Sequence, residues 1–192
     1  IYWLMQCDCG NQIPARINDC VTGRKLSCGC IQKGWDKVEN ILDNTFYKAE
    51  EDHYFYVFSM RNYTDQTKLG ISEDLEDRVL QSRGEYGEIH NYFELPRVES
   101  WLIEQALLRF TQIYWKPPSR LMQEKWPGYT ELRKLSCSEI WSMAETFYDD
   151  LKEMGRYLFA AEYLVVSPNI KKGLEKMAEF KKTKNNLEEI LK

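Results

Sequence analysis

Five of the six cysteines fall in the first thirty residues, in the segment CDCGNQIPARINDCVTGRKLSCGC. Two Cys-x-Cys pairs, Cys7/Cys9 and Cys28/Cys30, are separated by eighteen residues. Each pair has a glycine beside or inside it, Gly10 and Gly29, which permits the tight turn of a metal knuckle. Four thiolates suit a closed tetrahedral Zn²⁺ site, so the spacing predicts a zinc module over residues 1–34. A disulfide framework is the alternative. It requires an oxidising compartment, and the rest of the chain does not read as a small secreted scaffold. Between the pairs, β-branched and polar residues with a turn at Thr22-Gly23 predict a small hairpin. Cys20 reads as a small apolar packing residue and Cys137 as structural.

The remaining chain is long enough for one ordinary domain. Of 192 residues, 43% are hydrophobic and 14% aromatic, which supplies a core. No apolar run reaches the ~18 residues of a membrane span, so no membrane partner is expected. The chain begins at Ile1, as a processed or excerpted chain does, and no signal peptide is visible. A bacterial cytoplasm is the expected setting. Net charge is −4, mildly against a nucleic-acid partner taken alone, but its distribution is uneven. Residues 1–38 carry five basic and three acidic groups, and residues 171–192 carry seven lysines and four glutamates. Basic ends therefore flank an acidic middle, where a divalent metal could bridge acid to phosphate.

Helical spacing of Trp35, Val38, Ile41, Leu42 and Phe46 predicts a helical linker over 35–50. HYFYVFSM (53–60) reads as a buried strand and Lys68–Ile71 as its hairpin partner. Ser72 is a candidate N-cap for an acidic helix running to about Ser82. GEYGE (84–88) reads as a loop, HNYFEL (90–95) as a third strand, and Val98 to about Trp115 as a long helix. Gly128–Leu132 reads as a last edge strand. An amphipathic helix is predicted from Ser138 to about 165, a break at Ser167-Pro168-Asn169, and a lysine-rich helix from Ile170. The expected fold is α+β: a small mixed sheet flanked by helices over 51–135, with a helical extension over 136–192 that offers a dimer element.

Two resemblances give these elements a function. Tyr2-Trp3-Leu4, CDCGN and SCGC together resemble a small zinc module at the ends of phage and mobile-element endonucleases. In those relatives another Cys often precedes the first pair; here that position is Met5. The resemblance implies a module that helps to hold DNA. Separately, the order β-turn-β, helix, β, helix over about 53–133 resembles the GIY-YIG nuclease superfamily. Tyr54-Phe55-Tyr56 stands at the first motif and Lys68-Leu69-Gly70 at the second, with Lys68 in place of the motif tyrosine. Arg78 follows ten residues later, and Glu104, in WLIEQALLRF, is the acid of the next long helix.

The resemblance implies hydrolysis of a phosphodiester in double-stranded DNA with one Mg²⁺ or Mn²⁺ ion. Tyr56 would be the general base or would orient the attacking water. Its ordinary pKa of about 10 requires help, and the charge of Lys68 favours the phenolate. Arg78 would stabilise charge growing on the phosphate through its planar fork of donors. Glu104 would hold the metal. His53 and Tyr63 lie near enough in sequence to exchange roles with these residues.

Simpler readings stand beside each assignment. Tyr56 is one of several strand aromatics and packs a core equally well. Lys68 suits a solvated strand edge. Arg78 lies four residues after Asp74, an i,i+4 pair contributing ~0.3–0.5 kcal/mol. Glu104 is the least ordinary, because its helix is apolar nearly all round and a buried carboxylate needs a partner. The lysine-rich C-terminal helix suits either a solvated face or DNA backbone contact. The expected function is a metal-dependent DNA endonuclease of a phage or mobile element, of homing type. The alternatives are a non-cleaving DNA-binding protein that keeps the nuclease fold, and a zinc-stabilised protein-interaction module.

Overall fold

A computed structural model describes residues 2–6, 12–21, 42, 49–61, 65–81, 86–115, 131–165 and 168–190. The chain is α+β and divides into two units: Ile1–Tyr47 with Gly155–Lys192, and Lys48–Met154. Among the described residues, no helix is long and apolar enough to cross a membrane.

In the first unit, strands β1 (Trp3–Gln6) and β2 (Gln12–Ala15) pair antiparallel, Trp3 opposite Ala15 and Gln6 opposite Gln12. A short helix, α1 (Ile17–Val21), follows. The hairpin therefore brackets the first Cys-x-Cys pair rather than lying between the two pairs. The stretch expected to form it instead turns helical at Ile17. Cys7, Cys9, Cys28 and Cys30 themselves lie outside the described residues, as does most of the 35–50 linker. Leu42, the exception in its middle, is helical and buried.

The second unit is built on a four-stranded antiparallel sheet of order β5-β3-β4-β6. Its strands are β3 (Asp52–Met60), β4 (Thr67–Ser72), β5 (Tyr86–Pro96) and β6 (Leu132–Arg133). Helix α2 (Leu75–Gln81) connects β4 to β5. Helix α3 (Arg97–Phe110) and a 3₁₀ turn (Gln112–Tyr114) follow β5. Helix α4 (Cys137–Tyr163) starts in this unit and is interrupted at Gly155, whose φ of 76° and ψ of 164° are non-helical. That conformation is essentially confined to glycine. The amphipathic stretch expected as a separate extension from residue 136 thus begins as part of the sheet's own packing. Helix α5 (Pro168–Ile190) belongs to the first unit, where Lys171 pairs with Glu162 at 2.7 Å and Leu174 is buried.

Directly opposed residues of antiparallel strands share a face. The pairs Tyr56–Gly70, Phe58–Lys68 and Lys68–Leu132 thus place all five residues on one side of the sheet. Leu75 and Val79 of α2 pack against the Tyr56, Phe58, Met60 and Leu132 cluster there. The other side carries Phe55, Val57 and Leu69. There the Phe93 ring lies 4.4 Å from Trp141 of α4 and 6.2 Å from Phe55.

Three boundaries differ from expectation. The N-cap of α2 is Asp74, whose Oδ1 accepts the Asp77 N–H at 2.9 Å. Ser72 instead closes a turn before it, accepting the Asp74 N–H at 3.3 Å. Strand β5 begins at Tyr86 within the expected loop GEYGE, with register shifts opposite Val57–Met60. Gly87 makes this possible: a Cβ there would lie 2.5 Å from Ser59 Oγ, which hydrogen-bonds the Glu88 backbone. Helix α3 ends at Phe110, where Thr111 Oγ1 bonds back to Leu107 O.

Candidate active site

Tyr56, Lys68 and Gly70 meet on the α2-covered face because hairpin register puts them there. Gly70 lies under the phenol. A Cβ at that position would come within 2.5 Å of Tyr56 Oη and 2.8 Å of Cζ, so the absence of a side chain at Gly70 leaves the space that Tyr56 fills. Above the ring, Arg78 projects from α2 and donates Nε to Tyr56 Oη at 3.0 Å. Its Nη1 reaches Gln81 Oε1 at 3.4 Å. The guanidinium is thus engaged with the sheet tyrosine, while the Asp74 carboxylate caps the helix. Tyr56 also stacks on Phe58 at 4.6 Å, so the packing role and the polar role coincide in one residue.

Lys68 is not an edge charge. It is wholly buried, donates Nζ to Leu69 O at 3.0 Å, and pairs with the Glu131 carboxylate just ahead of β6. Burial pushes the ammonium well below its ordinary pKa, Glu104 pulls it back up, and the positive fields of Arg78 and Arg133 lower it again. Glu104 is 7% exposed, and its carboxylate accepts a bond from Gln105 Nε2 at 3.0 Å. Burial raises its pKa, against the opposing pull of Lys68, the Gln105 bond, Arg78 and Arg133. The four sequence-predicted residues therefore form one electrostatic cluster. Tyr56 and Arg78 touch, while Glu104 acts on Lys68 and Arg78 through its field.

Two members of the cluster were not among the candidates. Glu131 is the direct partner of Lys68. Arg133, 4% exposed, ties β6 to the end of α3 through Thr111 Oγ1 (2.8 Å) and Leu108 O (2.9 Å). Burial lowers its pKa to about 10, with Glu104 opposing. The one available signal was that each lies beside Leu132 at the predicted edge strand. His53 faces the opposite side of the sheet from Tyr56, with Nε2 3.6 Å from Glu73 Oε1. Tyr63 lies outside the described residues.

Among the described residues, no group of three or more His, Cys, Asp and Glu side chains is arranged to hold a metal ion. Glu104 offers one hard oxygen donor group. That fits Mg²⁺ or Mn²⁺, which sites of this kind bind through one or two carboxylates completed by substrate phosphate and water. No family model matches the chain, and no curated protein or solved structure matches it.

Proposed function

We propose that this chain is a metal-dependent DNA endonuclease of the GIY-YIG type, encoded by a phage or mobile element and aided in DNA contact by a zinc module. The observation that carries this reading is the contact of Arg78 with Tyr56 above Gly70, with Lys68 and Glu104 in the same field. Four residues named from the sequence, on two strands and two helices, thus interact through Arg78.

In this reading Arg78 is the phosphate ligand. It is half-buried, and its Nε–H is held by Tyr56, so the guanidinium is oriented before substrate arrives. A pre-oriented donor stabilises developing phosphate charge without reorganising during the reaction. When phosphate engages Arg78, the phenol is freed from that bond to orient the attacking water or take its proton. Lys68, on the same face of the sheet as Tyr56, would favour the phenol's oxyanion. Glu104 would hold the divalent ion, which when bound polarises the phosphoryl oxygen and the leaving group. Cys7, Cys9, Cys28 and Cys30 would hold Zn²⁺ in a structural role.

A second reading, a DNA-binding protein that keeps the fold without cutting, is favoured by the burial of both Tyr56 and Lys68. Plasmid cleavage with Mg²⁺ separates the two. Arg78→Ala and Glu104→Gln are each expected to lose on the order of 10²-fold or more in cleavage rate while binding DNA. Intact cleavage in both variants would remove the catalytic assignment. Salt-sensitive binding of DNA by a wild type that never cuts would establish the second reading. DNA affinity absent at low salt would leave the protein-interaction module.

A further inference from the structure

The two faces of the N-terminal hairpin differ. Trp3 and Met5 of β1 share one side with Ala15 of β2, which is 1% exposed, so that side is the packed one. The other side carries Leu4 opposite Pro14 and Gln6 opposite Gln12, all four exposed. Tyr2 and Arg16 extend the same rows by one step each. Both are exposed, and the guanidinium carbon of Arg16 lies over the Tyr2 ring, 5.1 Å from its centre. The face thus holds one cation, an aromatic ring that fixes it, and two amides side by side. None of its six residues is acidic, although the chain as a whole carries a net charge of −4.

Dimensions and chemistry together select a ligand for such a face. Paired strands lie about 4.8 Å apart, and a two-stranded ribbon fits the major groove of B-DNA, roughly 12 Å wide. In that groove a glutamine amide matches adenine with two bonds: it donates to the ring nitrogen and accepts from the exocyclic amino group. Directly opposed side chains start about 5 Å apart at Cβ, so both amides enter the groove together. An acid-free face with a fixed guanidinium also suits the flanking phosphate. We infer that this hairpin face docks in the major groove of duplex DNA, with Gln6 and Gln12 reading adenine edges and Arg16 on a phosphate. The inference rests on the reading of the chain as a DNA-binding protein and assigns sequence discrimination to the hairpin. It requires nothing of the Tyr56 cluster.

Selection of binding sites from a pool of duplexes with a randomised centre tests this, using the full-length, reduced protein without Mg²⁺. The wild type is expected to enrich sites with adenine at fixed positions. In Gln6→Ala/Gln12→Ala the preference at those positions should fall by about 10- to 100-fold, while low-salt affinity for the unselected pool is kept. Arg16→Ala should instead weaken binding to all sequences alike and reduce the salt slope by about one. Replacing the selected adenines with 7-deazaadenine removes the ring nitrogen but keeps base pairing, and should cost the wild type the same preference. If the double variant also loses low-salt binding, this second arm decides. A preference untouched by 7-deazaadenine, or by the glutamine substitutions in a variant that still binds, would overturn the inference and leave the DNA-binding reading intact. So would a selection that enriches no adenine. A wild type that binds no duplex at low salt would overturn both.

Discussion

At the scale of single residues, the site depends on one missing side chain. Gly70 is the only residue type that lets the Tyr56 phenol lie across β4, and Arg78 is held by that phenol. Gly70→Ala therefore acts at two levels. The new methyl must displace the Tyr56 hydroxyl end, so overpacking is expected to cost about 1–3 kcal/mol. The Arg78–Tyr56 bond must break as well. Chemical denaturation should show the stability loss, and plasmid cleavage should fall toward the level of Arg78→Ala. A Gly70→Ala protein with wild-type stability and cleavage would show that the glycine is not needed beneath the phenol. Tyr56, Lys68, Arg78 and Glu104 were each named from sequence because local motifs carry them. Glu131 was not, because what makes it important is a contact across 63 positions of chain with Lys68.

At the scale of elements, sequence reading succeeds where periodicity is long and fails where an element is short or irregular. HYFYVFSM and the amphipathic run after Ser138 have enough repeats to define β3 and α4. GEYGE does not read as strand, because the signal that admits it to the sheet is the Ser59–Glu88 pairing rather than its own composition. Strand β6 has two residues and no periodicity at all. The start of α4 was legible only to within a residue, and its cap is a reciprocal pair. Ser136 Oγ accepts the Glu139 N–H at 3.2 Å and donates to Glu139 Oε2 at 2.6 Å, while the Ser136 N–H donates to the same oxygen at 2.8 Å. Those bonds, the side-chain one first, hold the Glu139 carboxyl below its usual pKa. A depressed carboxyl pKa means stability that is present above the ordinary carboxylate range and lost as pH falls through the folded-state value. Ser136→Ala should destabilise by about 1 kcal/mol near neutral pH. The gap from wild type should narrow in acid, as thermal melts at a series of pH values would show. A gap that is constant with pH would place the effect outside the Ser136–Glu139 pair.

At the scale of the whole molecule, the α+β class was legible, but the sheet expected to be mixed is antiparallel at every described pairing. The division into units was not. The final stretch of chain, read as one extension, is shared: its first helical segment stacks Trp141 on the sheet, and the part beyond Gly155 belongs with the N-terminal residues. The one local mark of the partition is Gly155, where α4 is interrupted; the apolar spacing of the sequence on either side does not announce it. The zinc expectation belongs to this scale as well. Metal analysis of undamaged, reduced protein should find about one equivalent of zinc, the content of a single four-thiolate site. Less than about half an equivalent would count against it.

The register shifts in β5 have one more consequence. Among the described residues this strand forms an outer edge of the sheet, eleven residues long, with Ile89 and Tyr92 exposed. A flat, apolar edge of that length is a template on which a second chain can add strands without limit. Extra residues in one strand of a pair bend and twist it locally. The irregularity opposite Val57–Met60 thus makes the edge a poorer template for a further strand.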